Sequence, residues 1–234
     1  MGRLLEGKSL ERQKCDGWLT AAERRFGRYK GEEEKAVNEP DVSEDKLATH
    51  LAILWGARKL RAYPTATDIS NLHNHFIEKL GELALALSPQ EVERMSILLG
   101  RLENEERFAH KAGVLLSALV EKGDGDSFVI PTHHIDPPHY LGYHNTKRVT
   151  VIGDTGDRLG YCMGGKGEII VRGDVGDELG MYMTSGKITV LGNAGDSVGL
   201  TMDGGEIHLG GGFSSIKMVL GGRIYHKGRL IVDK

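Results

Sequence analysis

Apolar residues recur at three- and four-residue steps through the first half of the chain and alternate with polar ones through the second, which predicts helices followed by strands. Residues 43–63 read as a helix with Leu47, Leu51 and Leu54 on one face, stopped by Pro64. Ile69, Leu72, Phe76, Leu80, Leu83 and Leu87 form the stripe of a second helix that packs along another. Ser88 as N-cap, Pro89 at the first helical position and Glu91 as capping-box partner start a third. Its stripe runs through Val92, Met95, Leu99, Leu102, Ala109, Ala112, Leu116 and Leu119. A long antiparallel hairpin of helices, with the first helix against it, is the expected arrangement.

Beyond residue 140 one pattern is written three times, over 148–160, 168–180 and 187–199, and Glu206 opens a fourth, degenerate copy. Gly153, Gly156 and Gly160 recur as Gly173, Gly176 and Gly180, then as Gly192, Gly195 and Gly199. Such a period indicates a solenoid. Val149, Ile169, Ile188 and Ile207 fall at one equivalent position, and Val151, Val171, Val190 and Leu209 at another. Both sets should point inward and stack at about 4.8 Å if each copy makes one turn of a coil. The glycines should supply positive φ at the bends and let the coils approach without Cβ clashes.

The three glycine-repeat copies resemble the C-terminal domain of the glutamate synthase large subunit and the corresponding β-helical chain of formylmethanofuran dehydrogenase. The resemblance covers roughly residues 140–234. It implies a right-handed parallel β-helix of about four to five coils that serves chiefly as architecture, the flavin, iron–sulfur, metal and amidotransferase chemistry lying in other domains or subunits. The fold class expected is therefore α plus β in two domains. A charged arm, helical or mobile, spans 1–42; a helical domain spans 43–122; a His/Pro-rich linker spans 123–140; and the β-helix spans 141–234.

Composition narrows the function classes. Thirty Lys and Arg against 33 Asp and Glu give a net charge of −3, which offers no field that would draw nucleic acid or an anionic membrane. Two cysteines, Cys15 and Cys162, are too few for a disulfide framework or a thiolate metal cage. Without a signal-peptide pattern or a long apolar run, a cytoplasmic location is expected.

Candidate chemistry concentrates at the junction, where His133, His134, Asp136, His139 and His144 cluster around Pro137-Pro138. Imidazole and carboxylate suit a divalent metal such as zinc or iron. Adjacent histidines point to opposite sides of an extended chain, however, so a linker hydrogen-bonded between domains is the alternative. Asp157, Asp177 and Asp196 form one ladder, and Asp154, Asp174 and Asn193 another. Each either holds a cation between stacked carboxylates or accepts backbone N–H groups in its own turn. Met163, Met183 and Met202 read as core filler rather than a soft-metal site. Glu106 and His110 lie one turn apart on the third stripe, without the Glu-x-x-His spacing of di-iron bundles.

The favoured expectation is a non-catalytic scaffold or assembly subunit of an amidotransferase-type or redox complex. The alternative is a metal-dependent enzyme using the junction histidines. The last coil, with Ile224, Leu230 and Val232 still strand-like, is expected to bind partner subunits or a second copy, unless Lys227, Arg229 and Lys234 blunt its edge.

Overall fold

The structure, a computed structural model, describes residues 44–56, 60–61 and 63–234. The arm expected over 1–42 lies outside the described residues. These belong to one compact unit whose apolar core runs unbroken from Leu47 to Ile224, so helices and solenoid share an interior.

Helix α1 spans Glu44–Trp55 and buries Leu47, Leu51 and Leu54. It stops at Gly56, earlier than Pro64 requires, where helix propensity drops. Helix α2, Ala66–Glu82, starts at a capping box of Thr65 and Asp68. Helix α3, Pro89–Leu98, starts at the expected box of Ser88 and Glu91. The expected third helix is not continuous: a 3₁₀ turn at Leu99–Leu102 and a left-handed Arg107 (φ 61°) separate α3 from α4, Phe108–Lys122. The apolar stripe keeps phase across this break, which is why periodicity alone runs straight through it. Helix α2 packs on α4, whereas α3 turns aside onto the first strand. Helix α4 is buried nearly all round, as expected of a helix enclosed on both sides.

The solenoid makes about five turns. Its strands are β1 (Ser127–Pro131), β2 (Arg148–Ile152), β3 (Glu168–Val171), β4 (Lys187–Val190), β5 (Asp203–Leu209), β6 (Gly221–His226) and β7 (Arg229–Asp233). They lie in sequence order in one sheet, parallel from β1 to β6, with β7 folded back antiparallel on β6. Strand β1 falls inside the 123–140 segment expected as a linker. The inward ladder Phe128–Val149–Ile169–Ile188–Ile207–Ile224 is in register and buried, as is Ile130–Val151–Val171–Val190–Leu209. Leu159, Leu179 and Val198 line another side of the coil, and Met163, Met183 and Met202 are fully buried fillers.

The repeat glycines divide by physical cause. Gly160, Gly180 and Gly199 adopt left-handed φ of 68°, 67° and 70° at one corner. Gly156, Gly173, Gly176, Gly192 and Gly195 do not have the expected positive φ; close approach explains them instead. A Cβ on Gly176 would lie 2.4 Å from Asp157 Oδ1 of the preceding coil. The aspartates correct a second expectation, since Asp154, Asp157, Asp174 and Asp177 accept a backbone N–H of the next coil and not one of their own turn. Asp154 Oδ1 accepts from Asp174 N, Asp157 Oδ1 from Asp177 N, and Asp177 Oδ1 from Asp196 N, at 2.7–2.9 Å. Carboxylate and glycine are thus a matched pair: the missing Cβ makes room for the oxygen.

Candidate functional site

Helix α4 meets the first coil through small residues. A Cβ on Gly113 would stand 1.9 Å from His139 O, so the coil backbone occupies the space where any side chain would go. The His139 N–H donates to Ala109 O at 3.0 Å. One turn on, the buried Ser117 hydroxyl donates to Gly113 O at 2.7 Å and accepts from Gly142 N and Tyr143 N at 2.9 and 3.2 Å. Ala109, Ala112, Gly113 and Ser117, set in a leucine-rich helix, are the sequence signal of this docking face.

At the open side of the seam lies a cleft of about 420 Å³, bounded by Tyr63, Pro64, Arg107, His110, His139, Tyr140, Asp157, Arg158, Asp177 and Glu178. The His110 and His139 rings stand 4.5 Å apart. His139 Nδ1 accepts the Asp157 N–H at 2.8 Å, which places the proton of a neutral ring on Nε2. The Asp157 carboxylate is 3.5 Å from the same nitrogen, too far to displace that bond. Burial pushes the His139 pKa below its ordinary value, the nearby Asp157 opposing and Arg158 reinforcing the shift. His110 is pushed down to about 4 by burial first, then by His139 and Arg107. Both rings are therefore neutral at physiological pH.

Arg158 holds the cleft wall together. Its Nε donates to Glu178 Oε2 and its Nη1 to the Tyr140 hydroxyl, while its guanidinium lies 5.3 Å from the Tyr140 ring centroid. Burial disfavours its charge, but the bonds to Glu178 and Tyr140 outweigh that and hold its pKa above the usual arginine value. Tyr140, Arg158 and Glu178 are equivalent corner residues of three successive coils, all with left-handed backbones (φ 60°, 61°, 58°). Such strain in side-chain-bearing residues persists only where surrounding bonds overdetermine it. Arg107 Nε is buried without a hydrogen-bond partner, 3.9 Å from Glu106 Oε1.

The junction residues are not gathered into one site. His133 Nδ1 faces Ile152 O at 3.4 Å, and His134 Nε2 faces Ser96 O of α3 at 3.3 Å. Asp136 receives its contact through its backbone, donating to Glu103 Oε1 at 2.9 Å. Only His139 enters the cleft; His144 packs its ring 4.3 Å from that of Tyr143. Glu106, with its side chain 79% exposed, sits in the link before α4 and does not join His110 in the cleft. Among the described residues no three His, Cys, Asp or Glu side chains are arranged to hold a metal ion.

Sequence reasoning misses the cleft because it misses the first coil. Leu141-Gly142-Tyr143 repeats as Leu159-Gly160-Tyr161, and that echo is the signal that places Tyr140 and His139 in register with Arg158 and Asp157. Comparison with family models, with curated proteins and with solved structures finds no match to this chain. The fold itself therefore supplies the class: a β-solenoid closed at its start by helices. Among the described residues no helix is long and apolar enough to cross a membrane.

Proposed function

We propose that the protein is a non-catalytic assembly subunit, a right-handed β-helix related to the glutamate synthase C-terminal domain, working in the cytoplasm within an amidotransferase-type or redox complex. The handedness is the one a right-twisted strand favours in parallel crossovers. One observation carries the reading: the polar groups of the cleft are bonded mainly to the protein itself. His139 holds Asp157 N, Arg158 holds Glu178 and Tyr140, and Asp157 and Asp177 hold the backbone of the next coil. A catalytic centre needs a nucleophile and base free to face substrate, whereas these groups fasten helices to coils and coil to coil. Among the described residues the junction histidines do not converge on one point, which favours this reading over the metal-dependent alternative.

The test is capture of the native chain from its own cells, followed by gel filtration. A companion carrying flavin, iron–sulfur or glutamine-hydrolysing chemistry should co-elute at fixed stoichiometry. Recovery of the chain alone, or stoichiometric zinc or iron in untagged protein, would overturn the reading.

A further inference from the structure

Not every group at the cleft takes part in fastening helices to coils. Arg107 borders it from the turn before α4 on a left-handed backbone, and its Nε is buried without a hydrogen-bond partner. Its one ion-pair contact among the described residues, Glu106, stands 3.9 Å from that nitrogen with its side chain 79% exposed, too loose a pair to hold the guanidinium. His110, in the first turn of α4, makes no hydrogen bond through its ring among the described residues. No side chain caps that turn and it carries no acidic residue, so the positive end of the helix dipole adds to the charge of Arg107.

The coil side of the cleft has the opposite sign. Asp157 and Asp177 each engage Oδ1 with a backbone N–H of the next coil, and among the described residues the second oxygen of each has no hydrogen-bond partner. Asp157 Oδ2 lies 3.5 Å from His139 Nδ1, but that nitrogen already accepts from Asp157 N and offers no proton, so two lone pairs face each other. Arg158 is committed to Glu178 and Tyr140, and its pair with Glu178 adds no net charge. The two signs are held apart. Arg107 is close enough to depress the His110 pKa but does not act on His139, whereas Asp157 acts on both. The two neutral rings, 4.5 Å between centroids, therefore separate the guanidinium from the carboxylates.

We propose that the cleft binds a small linear zwitterion, its carboxylate against Arg107 and the start of α4 and its ammonium against the second oxygens of Asp157 and Asp177. Walls of both signs select against a simple anion or a simple amine, since either meets a like charge at the far end. The separation across two rings sets the length. An α-amino acid carries both charges on one carbon and reaches one end only, whereas an ω-amino carboxylate, with several methylenes between its charges, spans both. Those methylenes lie along the neutral faces of His110 and His139, where they strip water from no charged group. A volume of about 420 Å³ suits a ligand of this size. The inference goes beyond the assembly reading and does not rest on it, since a component of any complex, or of none, could hold such a ligand without reacting with it.

Calorimetric titration of the full chain with ε-aminohexanoate should give saturable binding at a single site. Hexanoate, hexylamine and glycine should each bind roughly tenfold more weakly or not at all, having lost one charged contact or the reach to make both. Arg107→Gln should lower the affinity for ε-aminohexanoate by a similar factor, and Arg107→Lys should keep part of it. Asp157→Asn, which retains the Oδ1 acceptor, should weaken ε-aminohexanoate without weakening hexanoate. In proton NMR the ring resonances of His110 and His139 should shift as the probe is added, which places it in the cleft. Melting curves matching the parent establish that the variants remain folded. Absence of saturable binding, equal affinity for hexanoate and ε-aminohexanoate, unshifted imidazole resonances, or a folded Arg107→Gln that binds like the parent would each overturn the proposal. Failure here would leave co-elution with a companion protein untouched, so the two readings fail separately.

Discussion

The two ends of the solenoid are finished by different means. At the start, α3 lies along β1 and α4 presses Gly113 against the His139 carbonyl, with Phe128 and Ile130 fully buried behind them. At the other end a tight turn with left-handed Lys227 and Gly228 (φ 49° and 76°) folds β7 back on β6, leaving Leu230 and Ile231 half in water. A solenoid exposes ladder residues and strand edges at its ends unless something covers them. Helices cover the first end with side chains and backbone together. Among the described residues the hairpin covers Ile224 and makes β7 the last strand of the sheet. The first end is thus part of the folding core, whereas Leu230 and Ile231 of the second contribute little to it.

The largest effect should come from Gly113→Val. Both the α4 backbone and the His139 carbonyl it meets are held by the helix and coil around them, so the helix must lift off the coil. A loss of at least about 3 kcal/mol is expected, at the upper end for overpacking. At the far end, Gly228→Ala meets no atom within 4 Å and carries only the strain of its positive φ. That change should cost about 1 kcal/mol. Denaturant midpoints of the two variants measure the contrast directly, and equal losses would break it.

Acid should attack the first end selectively. His73 of α2 has a side chain only 6% exposed, its ring 5.0 Å from that of Tyr143 in the first coil. Glu121 Oε2 stands 3.4 Å from Nε2 without a hydrogen bond, so burial prevails and pushes the pKa down to about 4, with His144 and Lys122 adding to the shift. His110 is depressed to about the same value. The unfolded chain takes up protons near pH 6.5 while these folded rings remain neutral. The stability they contribute is therefore complete above pH 6.5 and is lost as pH falls towards 4. For His73 the slope should reach about 1 kcal/mol per pH unit. His73→Phe should flatten the dependence of the melting temperature between pH 6.5 and 4.5. Hydrogen exchange on acidification should rise in α2 and α4 before it rises in β3 to β5; a uniform rise would contradict the local origin.

The difference between the ends also explains what can be read from the chain alone. The middle coils are legible because Val149, Ile169 and Ile188 recur with their glycines at near-constant spacing, and register follows from equivalence. The first coil is not, because His133 to Pro138 adds residues to its bend and Thr132 stands where later coils have glycine. Losing that coil hides the cleft, whose members come from three coils and two segments of the helical region. The apolar face of α4 is evident from its stripe, yet its small-residue face carries no hydrophobic signal. The break at 99–107 stays hidden because the stripe keeps phase through it. Inter-coil bonding by the aspartates is half legible: acceptors beside glycines are expected, but only the stacked geometry shows which N–H they take.

The smallest effect is expected between the two ends, where every coil has a neighbour on both sides. Asp177 Oδ1 accepts the Asp196 N–H at 2.7 Å, and Gly195 leaves it room, a Cβ there standing 2.1 Å from the same oxygen. Asp177→Asn keeps this acceptor and its reach while removing one charge from a stack of three carboxylates, so stability should change by less than about 0.5 kcal/mol. Asp177→Ala removes the acceptor and leaves the Asp196 N–H with water alone, at about 1 kcal/mol. The order of these two variants separates the ladder's possible roles. If the carboxylate serves as an inter-coil staple, asparagine is tolerated, alanine is not, and the melting temperature of the parent ignores added calcium. If the stack holds a cation, asparagine and alanine lose the same increment, and calcium raises the melting temperature of the parent but of neither variant. In Asp154, Asp157 and Asp177 one carboxylate oxygen is already occupied by the backbone N–H of the next coil, which makes the staple the outcome expected.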